Sequence, residues 1–195
     1  MSRKKKLRIL ISVYDKSGLI DFVNALSKNI SLDIISTGGT AKYLSDAGFT
    51  VKTVESVTGF PEILSGRVKT LHPKIHAGIL ADQDNRIHIR ELKKHSIKTI
   101  DLVVVNLYPF EQTIKRKGVT LNQAVEQIDI GGVALLRAAA KNFKHVLVIS
   151  DTKDYDEVLE KLKKNQVTQK LRKKLAVKVF YKISNYDKQI GRYLE

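Results

Sequence analysis

Between Gly66 and Gly78 the chain places three cations (Arg67, Lys69 and Lys74), two histidines (His72 and His76) and the hydroxyl of Thr70. Pro73 forbids a regular helix there, so the stretch reads as a loop. Polar groups gathered on a loop more often meet a ligand than support a core. Three other polar motifs stand apart in the chain: Ser36-Thr37-Gly38-Gly39-Thr40, Asn106-Leu107-Tyr108-Pro109-Phe110 and Asp129-Ile130-Gly131-Gly132. The first suits an anion. Its glycines let a ligand approach backbone N–H groups, its hydroxyls add donors, and a helix beginning there supplies favourable potential. The same residues also suit a tight strand-to-helix turn, and no lysine directly follows the glycines as a P-loop requires. Lys16, within Tyr14-Asp15-Lys16-Ser17-Gly18, adds a cation to the same rim.

Each titratable candidate has a plainer reading beside the chemical one. Lys69 is a functional cation or an exposed loop charge. Asp129 is an acid–base group or an N-cap. Lys141 carries a proton or faces the negative end of a helix. His72 and His76 suggest a metal pair, but Pro73 separates them and no carboxylate lies within the loop, although Asp82 and Asp84 follow. Neutral, hydrogen-bonded histidines are expected there, and no metal. Phe110 reads as an aromatic plug at the end of a strand.

Alternating strands and helices must position these groups. Leu7 to Val13 is an apolar, β-branched run, a first buried strand. Gly18 to Lys28 carries Leu19, Ile20, Phe22, Val23 and Leu26 on one helical face. A strand over Leu32 to Ile35 ends in the Ser36 loop, a helix follows from about Thr40 to a cap at Gly48, and Thr50 to Val54 is a third strand. Thr58 to Asp84 reads as irregular, Arg86 to His95 as a polar helix, and Leu102 to Leu107 as a strand covered on both faces. Thr120 with Gln123 predicts a capping box and a helix to about Gln127. Gly132 to Asn142 is an alanine-rich helix, Val146 to Ile149 a strand, and Thr152 to Lys164 a helix. From about Val167 an amphipathic helix carries Leu171, Leu175, Val179, Ile183, Ile190 and Leu194 as one stripe, to fold back or to cover a neighbour. The pattern predicts one α/β domain over residues 1–195: a mostly parallel sheet with helices on both faces, and 167–195 as a C-terminal helical segment.

Composition narrows the function classes. The chain has 195 residues, 43% of them hydrophobic, enough for a proper core. No run of eighteen apolar residues offers a membrane span, and the charged start, Met1 to Lys6, leads into too short and polar a run for a secretory signal. Zero cysteines exclude disulfides, thiolate catalysis and cysteine-bound zinc, and fit a cytoplasmic protein. The formal net charge of +15 gathers in Arg3, Lys4, Lys5, Lys6 and Arg8 and again from Lys161 to Arg192. No nucleic-acid recognition motif accompanies it, so solvated basic faces are expected.

In this order and spacing the four motifs resemble the inosine-monophosphate cyclohydrolase domain of the bifunctional purine-biosynthesis protein, from about Leu10 to Ile149 and more loosely to the end. The resemblance implies a three-layer, methylglyoxal-synthase-like fold and closure of the purine ring of a 5-formamidoimidazole-4-carboxamide ribonucleotide, with loss of water. It implies Lys69, Tyr108, Asp129 and Lys141 as the catalytic set. Substrate contacts are implied at Tyr14, Asp15 and Lys16, at Ser36, Thr37, Gly38 and Gly39, at Arg67, Val68 and Thr70, and at Val105, Asn106 and Ile130. Serine is usual where Tyr14 stands, so a ring here replaces a small hydroxyl. Lys69 and Asn106 are expected to stabilise the formyl oxygen, Lys141 to move a proton with help from Asp129 and with Arg137 as a neighbouring cation, and Tyr108 to position the base or orient the lysine. No metal or organic cofactor is expected. A homodimer is, along with a formyltransferase domain that is absent from this sequence or separate. Methylglyoxal synthase and an effector domain of carbamoyl-phosphate synthetase share the fold class, but the Arg67 to His72 segment and the Asp129 to Lys141 helix favour ring closure. Twelve residues of straight helix would hold Asp129 and Lys141 ~18 Å apart. They meet only if Gly131-Gly132 lies outside the helix, or if one of them comes from a second subunit.

Overall fold

Apolar runs dominated by isoleucine, leucine and valine make strands that tolerate burial on both faces. The computed structural model describes residues 6–195, and the basic residues Arg3, Lys4 and Lys5 lie outside that range. Five parallel strands, β1 (Lys6–Val13), β2 (Ser31–Ser36), β3 (Val51–Thr53), β4 (Leu102–Asn106) and β5 (Leu147–Ile149), form one sheet in the order β3-β2-β1-β4-β5. In the central register Leu10 lies between Ile35 of β2 and Val103 of β4. The helices are α1 (Leu19–Ser27), α2 (Gly38–Asp46), α3 (Val54–Thr58), α4 (Pro73–Leu80), α5 (Arg86–Lys94), α6 (Phe110–Ile114), α7 (Leu121–Val125), α8 (Gly131–Lys141), α9 (Tyr155–Lys163) and α10 (Gln169–Leu194).

The chain runs outward from β1 through β2 to β3, then returns to the other side of β1 for β4 and β5. Right-handed crossovers therefore send α1 and α2 to one face and α8 to the other. The packing agrees: α1 lies with α9, while α4 and α10 pack on α8. Helices on both faces of a parallel sheet make the expected three-layer α/β fold. Among the described residues no helix is long and apolar enough to cross a membrane.

Local chemistry places the boundaries. The Thr120–Gln123 capping box is present in both directions. Gly48, just past α2, takes φ +87 and its N–H donates to the Ser45 carbonyl, the left-handed stop that glycine permits. Two parts of the sequence reading are overturned. Residues 58–84 are not irregular throughout, because Pro73 opens α4 instead of breaking it. At the first helical position proline loses no needed N–H, and the His72 side chain caps the helix by accepting the Lys74 N–H through Nδ1. The strand at Thr50 to Val54 shrinks to three residues because Thr53 caps α3, its hydroxyl accepting the Ser56 N–H. The short α6, over Phe110–Ile114, also went unpredicted.

The helix α10 folds back on α8 and β5. Leu171, Leu175, Val179 and Ile183 of its stripe are buried and Ile190 partly so, but Leu194, at 52% exposed, is not. The alanines Ala138, Ala139 and Ala140 are buried, which lets α8 approach its neighbours closely.

One ion-pair group is built into the sheet itself. Arg8 of β1 and Lys52 of β3 flank Asp33 of β2, with N–O distances of 2.8 and 2.7 Å, and the Asp33 and Arg8 side chains are only 5% and 12% exposed. Burial pushes the Asp33 carboxyl up, but Lys52 and Arg8 outweigh it and hold the group below its ordinary value. Asp33→Asn should destabilise the fold by about 3 kcal/mol in chemical denaturation at neutral pH, because Arg8 is left buried without its counter-charge. The wild-type advantage should be fully present above the unfolded carboxylate pKa of about 3.9 and vanish as pH falls through the lower folded value.

Candidate active site

Where the strand order reverses, between β1 and β4, the C-terminal ends of the strands leave a crevice, the usual ligand position in open α/β sheets. Asn106 ends β4 and closes the bottom of this crevice. Its Oδ1 accepts the N–H groups of Tyr14 and Asp15 at 2.7 and 2.9 Å, and its Nδ2 donates to the Asp15 carbonyl at 2.8 Å. One Nδ2 hydrogen is left for a ligand. Beside it Thr40 both accepts the Val13 N–H and donates to the Val13 carbonyl, pinning the start of α2 to the end of β1.

A cleft of about 640 Å³ opens above, lined by Tyr14, Lys16, Thr37, Gly38, Gly39, Arg67, Lys69, Thr70, Asn106, Tyr108, Asp129 and Ile130, among others. Most of the residues singled out from the sequence thus meet in one place. The start of α2 faces this cleft uncapped, because the Thr37 hydroxyl pairs with Ser12 Oγ at 3.0 Å instead of capping the helix. Its first N–H groups and positive end are therefore open to an anion.

Lys69 enters the cleft because two glycines make room. A Cβ at Gly66 would lie 2.6 Å from Lys69 Cε, and one at Gly38 would lie 3.4 Å from its Nζ. Gly66 also has φ +86, which L side chains rarely adopt. Each cation of this segment already has a partner: Lys69 pairs with Glu62 at 3.0 Å, and Arg67 makes a two-pronged pair with Glu126. These acids were not singled out from the sequence, since exposed glutamates on a turn carry no pattern of their own. Ser12, Ser65 and Gln127, also missed, line the cleft. Ser12 alone had a signal, as a polar residue interrupting the apolar run of β1.

Asp129 stands just before α8. Its Oδ1 accepts the Gly132 N–H at 2.7 Å, and a Cβ at Gly132 would sit 2.4 Å from Oδ2, so glycine is what admits the carboxylate. Burial pushes the Asp129 carboxyl up, and the Gly132 N–H only partly opposes this. Tyr108 is exposed at the rim, its ring tilted against that of Tyr14 with centroids 4.7 Å apart. Tyr14 thus fills space a smaller side chain would leave open. Beyond this ring pair lies a second hollow of about 920 Å³, reaching Asp151 after β5 and Lys182 and Asn185 on α10. It is larger, but holds neither Lys69 nor Asp129.

Some predicted contacts are not in the cleft. Ser36 is fully buried and its hydroxyl donates to the Ile11 carbonyl at 2.7 Å, a structural use. Val105 is buried inside β4, and the Val68 carbonyl accepts the Ile63 N–H within a hairpin-like bridge. The Asp15 carboxylate accepts both the N–H and the hydroxyl of Ser17, which hold it below its ordinary pKa. Lys141 is the chief departure. Gly131 and Gly132 lie inside α8, so the first of the two ways to join Asp129 with Lys141 is closed. Lys141 ends the helix about 15 Å along its axis, exposed toward the edge where β5 begins, and Arg137 sets its guanidinium 5.9 Å above the Phe180 ring. His72 is used as a helix cap, while half-buried His76 has its pKa lowered by burial. Asp82 accepts from His145 and Lys144 pairs with Asp84, tying the turn after α4 to the turn before β5.

Known proteins resemble this chain in sequence and in fold. A family model described as MGS-like domain matches residues 18–134, and one described as AICARFT/IMPCHase bienzyme matches residues 139–195. The bifunctional purine biosynthesis protein PurH of Acetivibrio thermocellus is 56% identical over 188 residues, covering 96% of this chain and 36% of that protein. PurH of Chloroflexus aurantiacus is 54% identical over 194 residues, covering 100% of this chain and 38% of its own length. The chain thus spans little more than a third of these curated relatives. The crystal structure of ForH matches with a TM-score of 0.84 and 34% identity, covering 95% of each chain.

The half-buried Asp129 carboxylate costs stability in its charged form, so Asp129→Asn, which keeps an acceptor for the Gly132 N–H, should stabilise the fold at neutral pH. The gain should be absent below the unfolded pKa of about 3.9 and grow as pH rises through the higher folded value, in denaturation at a series of pH values.

Proposed function

Because this chain belongs to the MGS-like domain family and corresponds to the N-terminal, cyclohydrolase part of PurH, we propose that it is an IMP cyclohydrolase. It would close the purine ring of 5-formamidoimidazole-4-carboxamide ribonucleotide and release water and inosine monophosphate. The observation that carries the reading is the meeting of Lys69, Asn106, Tyr108 and Asp129 in one crevice, beside the uncapped start of α2.

The ribose phosphate would lie at the N–H groups of Gly38 and Gly39 with Lys16 and Thr37 close by, anion recognition by a helix end. Binding would draw Arg67 and Lys69 from their glutamate partners toward the nucleotide. The base would then sit between the Tyr14–Tyr108 rings and the turn at Asp129. In the reaction the carboxamide nitrogen attacks the formyl carbon and gives up a proton while the formyl oxygen gains negative charge. That oxygen leaves as water after taking up two protons, the second released by the formamido nitrogen as it forms the ring C=N bond. Lys69 and the free Nδ2 hydrogen of Asn106 are the donors placed to meet that charge. Asp129, its carboxyl pushed above its ordinary value by burial, is the acid–base group placed for proton transfer. Both reacting groups share one flat ring, so orientation supplies much of the rate. The chemistry calls for neither a metal nor an organic cofactor.

Lys141 belongs to this scheme only through a second copy of the chain. A homodimer would bring the end of one α8 to the Asp129 turn of the other. The cleft's lining is apolar enough in part to be covered, with Leu71, Val125 and Ile130 exposed. Formyl transfer is not proposed for these residues, because the relatives named for both activities are much longer.

Incubation with the formylated imidazole ribonucleotide, followed by ultraviolet absorbance, tests the activity. Lys69→Ala should lower kcat about 100-fold or more, as loss of an oxyanion donor does. No purine formation by the wild type, or methylglyoxal formation from dihydroxyacetone phosphate instead, would refute the reading. For the shared site, Asp129→Ala and Lys141→Ala should each be inactive alone, yet an equal mixture after subunit exchange should regain about a quarter of wild-type activity, because half the dimers carry one intact site. Failure to regain any activity would place both residues in one subunit's site, or Lys141 outside it.

A further inference from the structure

The turn that carries Asp129 is held from the opposite end of the chain. Tyr186, in the last third of α10, accepts the Asp129 backbone N–H on its phenol oxygen at 2.8 Å. The same hydroxyl donates to the Gln127 carbonyl at 3.4 Å. One oxygen therefore bridges residues 127 and 129 and fixes how the backbone enters α8. The Gly132 N–H fixes the Asp129 carboxylate itself at 2.7 Å. Between these two bonds neither the backbone nor the side chain of Asp129 is free to swing.

The ring that bears this hydroxyl is itself immobilised. Tyr186 is only 7% exposed, and its ring meets Phe110 edge-on at 6.2 Å. Phe110 is fully buried directly after the Tyr108-Pro109 turn and meets Tyr193 edge-on at 5.7 Å. The aromatic plug read from the sequence is thus the anchor of a stack joining the Tyr108 turn, α10 and the Asp129 turn. Burial pushes the Tyr186 phenol up, so its hydroxyl keeps its proton at neutral pH and can donate and accept together. Tyr186 fills the gap between Ile183 and Ile190 in the apolar stripe of α10, but that spacing gave no sign of what its hydroxyl would bond.

We propose that Tyr186 is a positioning residue for ring closure, holding Asp129 in reach of the substrate through its backbone. The proposal rests on the reading that Asp129 works on the reacting atoms. It extends the working parts of the site to a helix outside the 18–134 stretch matched by the MGS-like domain model.

Tyr186→Phe keeps the ring and removes only the hydroxyl. Its kcat for ring closure should fall about 10- to 100-fold, the cost of a small misplacement of a reacting group, while KM stays within about twofold, because the variant disturbs no group that holds the ribose phosphate. Amide hydrogen exchange in the substrate-free protein should quicken at Asp129 and its neighbours but not in β1 or β4. Leu194→Ala, at an exposed position of the same helix, should leave both readouts unchanged. Wild-type kcat in Tyr186→Phe, or a rise in KM alone, would overturn the proposal, as would unchanged exchange at Asp129. Should the wild-type protein fail to close the ring, the exchange measurement still separates the two claims: quickened exchange keeps the Tyr186 anchor while the cyclohydrolase reading falls.

Discussion

The side-chain amide of Asn106 joins the end of β4 to the turn after β1, bonding partners 91 and 92 residues away in sequence. Parallel strands need long crossovers, so the two central strands arrive at the same edge from distant parts of the chain with nothing local to align their ends. One amide that accepts twice and donates once provides the alignment, and the crevice lies directly above it. Thr40 performs the corresponding task between β1 and α2. With these two ties made, the uncapped start of α2, the Lys69 loop and the Asp129 turn all open onto a common space. The shape of the cleft is therefore a consequence of how the sheet is closed at its switch point, with loops contributing mainly side chains.

Charge within the site differs from the charge of the molecule. The chain carries a formal +15, yet Arg67 and Lys69 are each matched by a glutamate. Exposed pairs of this kind are individually weak. A multiply charged phosphate beside a helix end can displace them, while a weak anion gains less than it gives up. Excess positive charge over the remaining surface, including the lysines along α10, acts at longer range and is screened by salt. Local pairing favours discrimination among anions, and the distributed charge favours their approach.

How much of this was legible depended on whether a signal was local. Four of the strands, β1, β2, β4 and β5, read correctly because buried parallel strands are continuous apolar runs, and the Thr120–Gln123 cap because both partners lie three residues apart. Pro73 misled because proline has two meanings, breaker in a helix interior and opener at its first turn, and only the His72 cap decides between them. Ser36 looked like a ligand contact from its neighbours, but strand alternation turned its hydroxyl into the sheet. A turn at Gly131-Gly132 was one of two ways for Asp129 and Lys141 to meet. Both glycines lie within α8, where a Cβ would strike Thr70 or Asp129, and Lys141 stands at the far end of that helix. Tyr186 was invisible for the opposite reason: its partners are a backbone N–H and a carbonyl, which no residue pattern records.

The paired rings of Tyr14 and Tyr108 have an optical consequence. The protein contains seven tyrosines and no tryptophan, so its intrinsic ultraviolet emission comes from phenols alone, without the brighter indole that usually masks them. Two of those phenols stand in contact on the lip of the cleft, and a stacked heterocycle arriving there would quench them directly. The molecule carries its own fluorescent reporter of occupancy, with no label to attach.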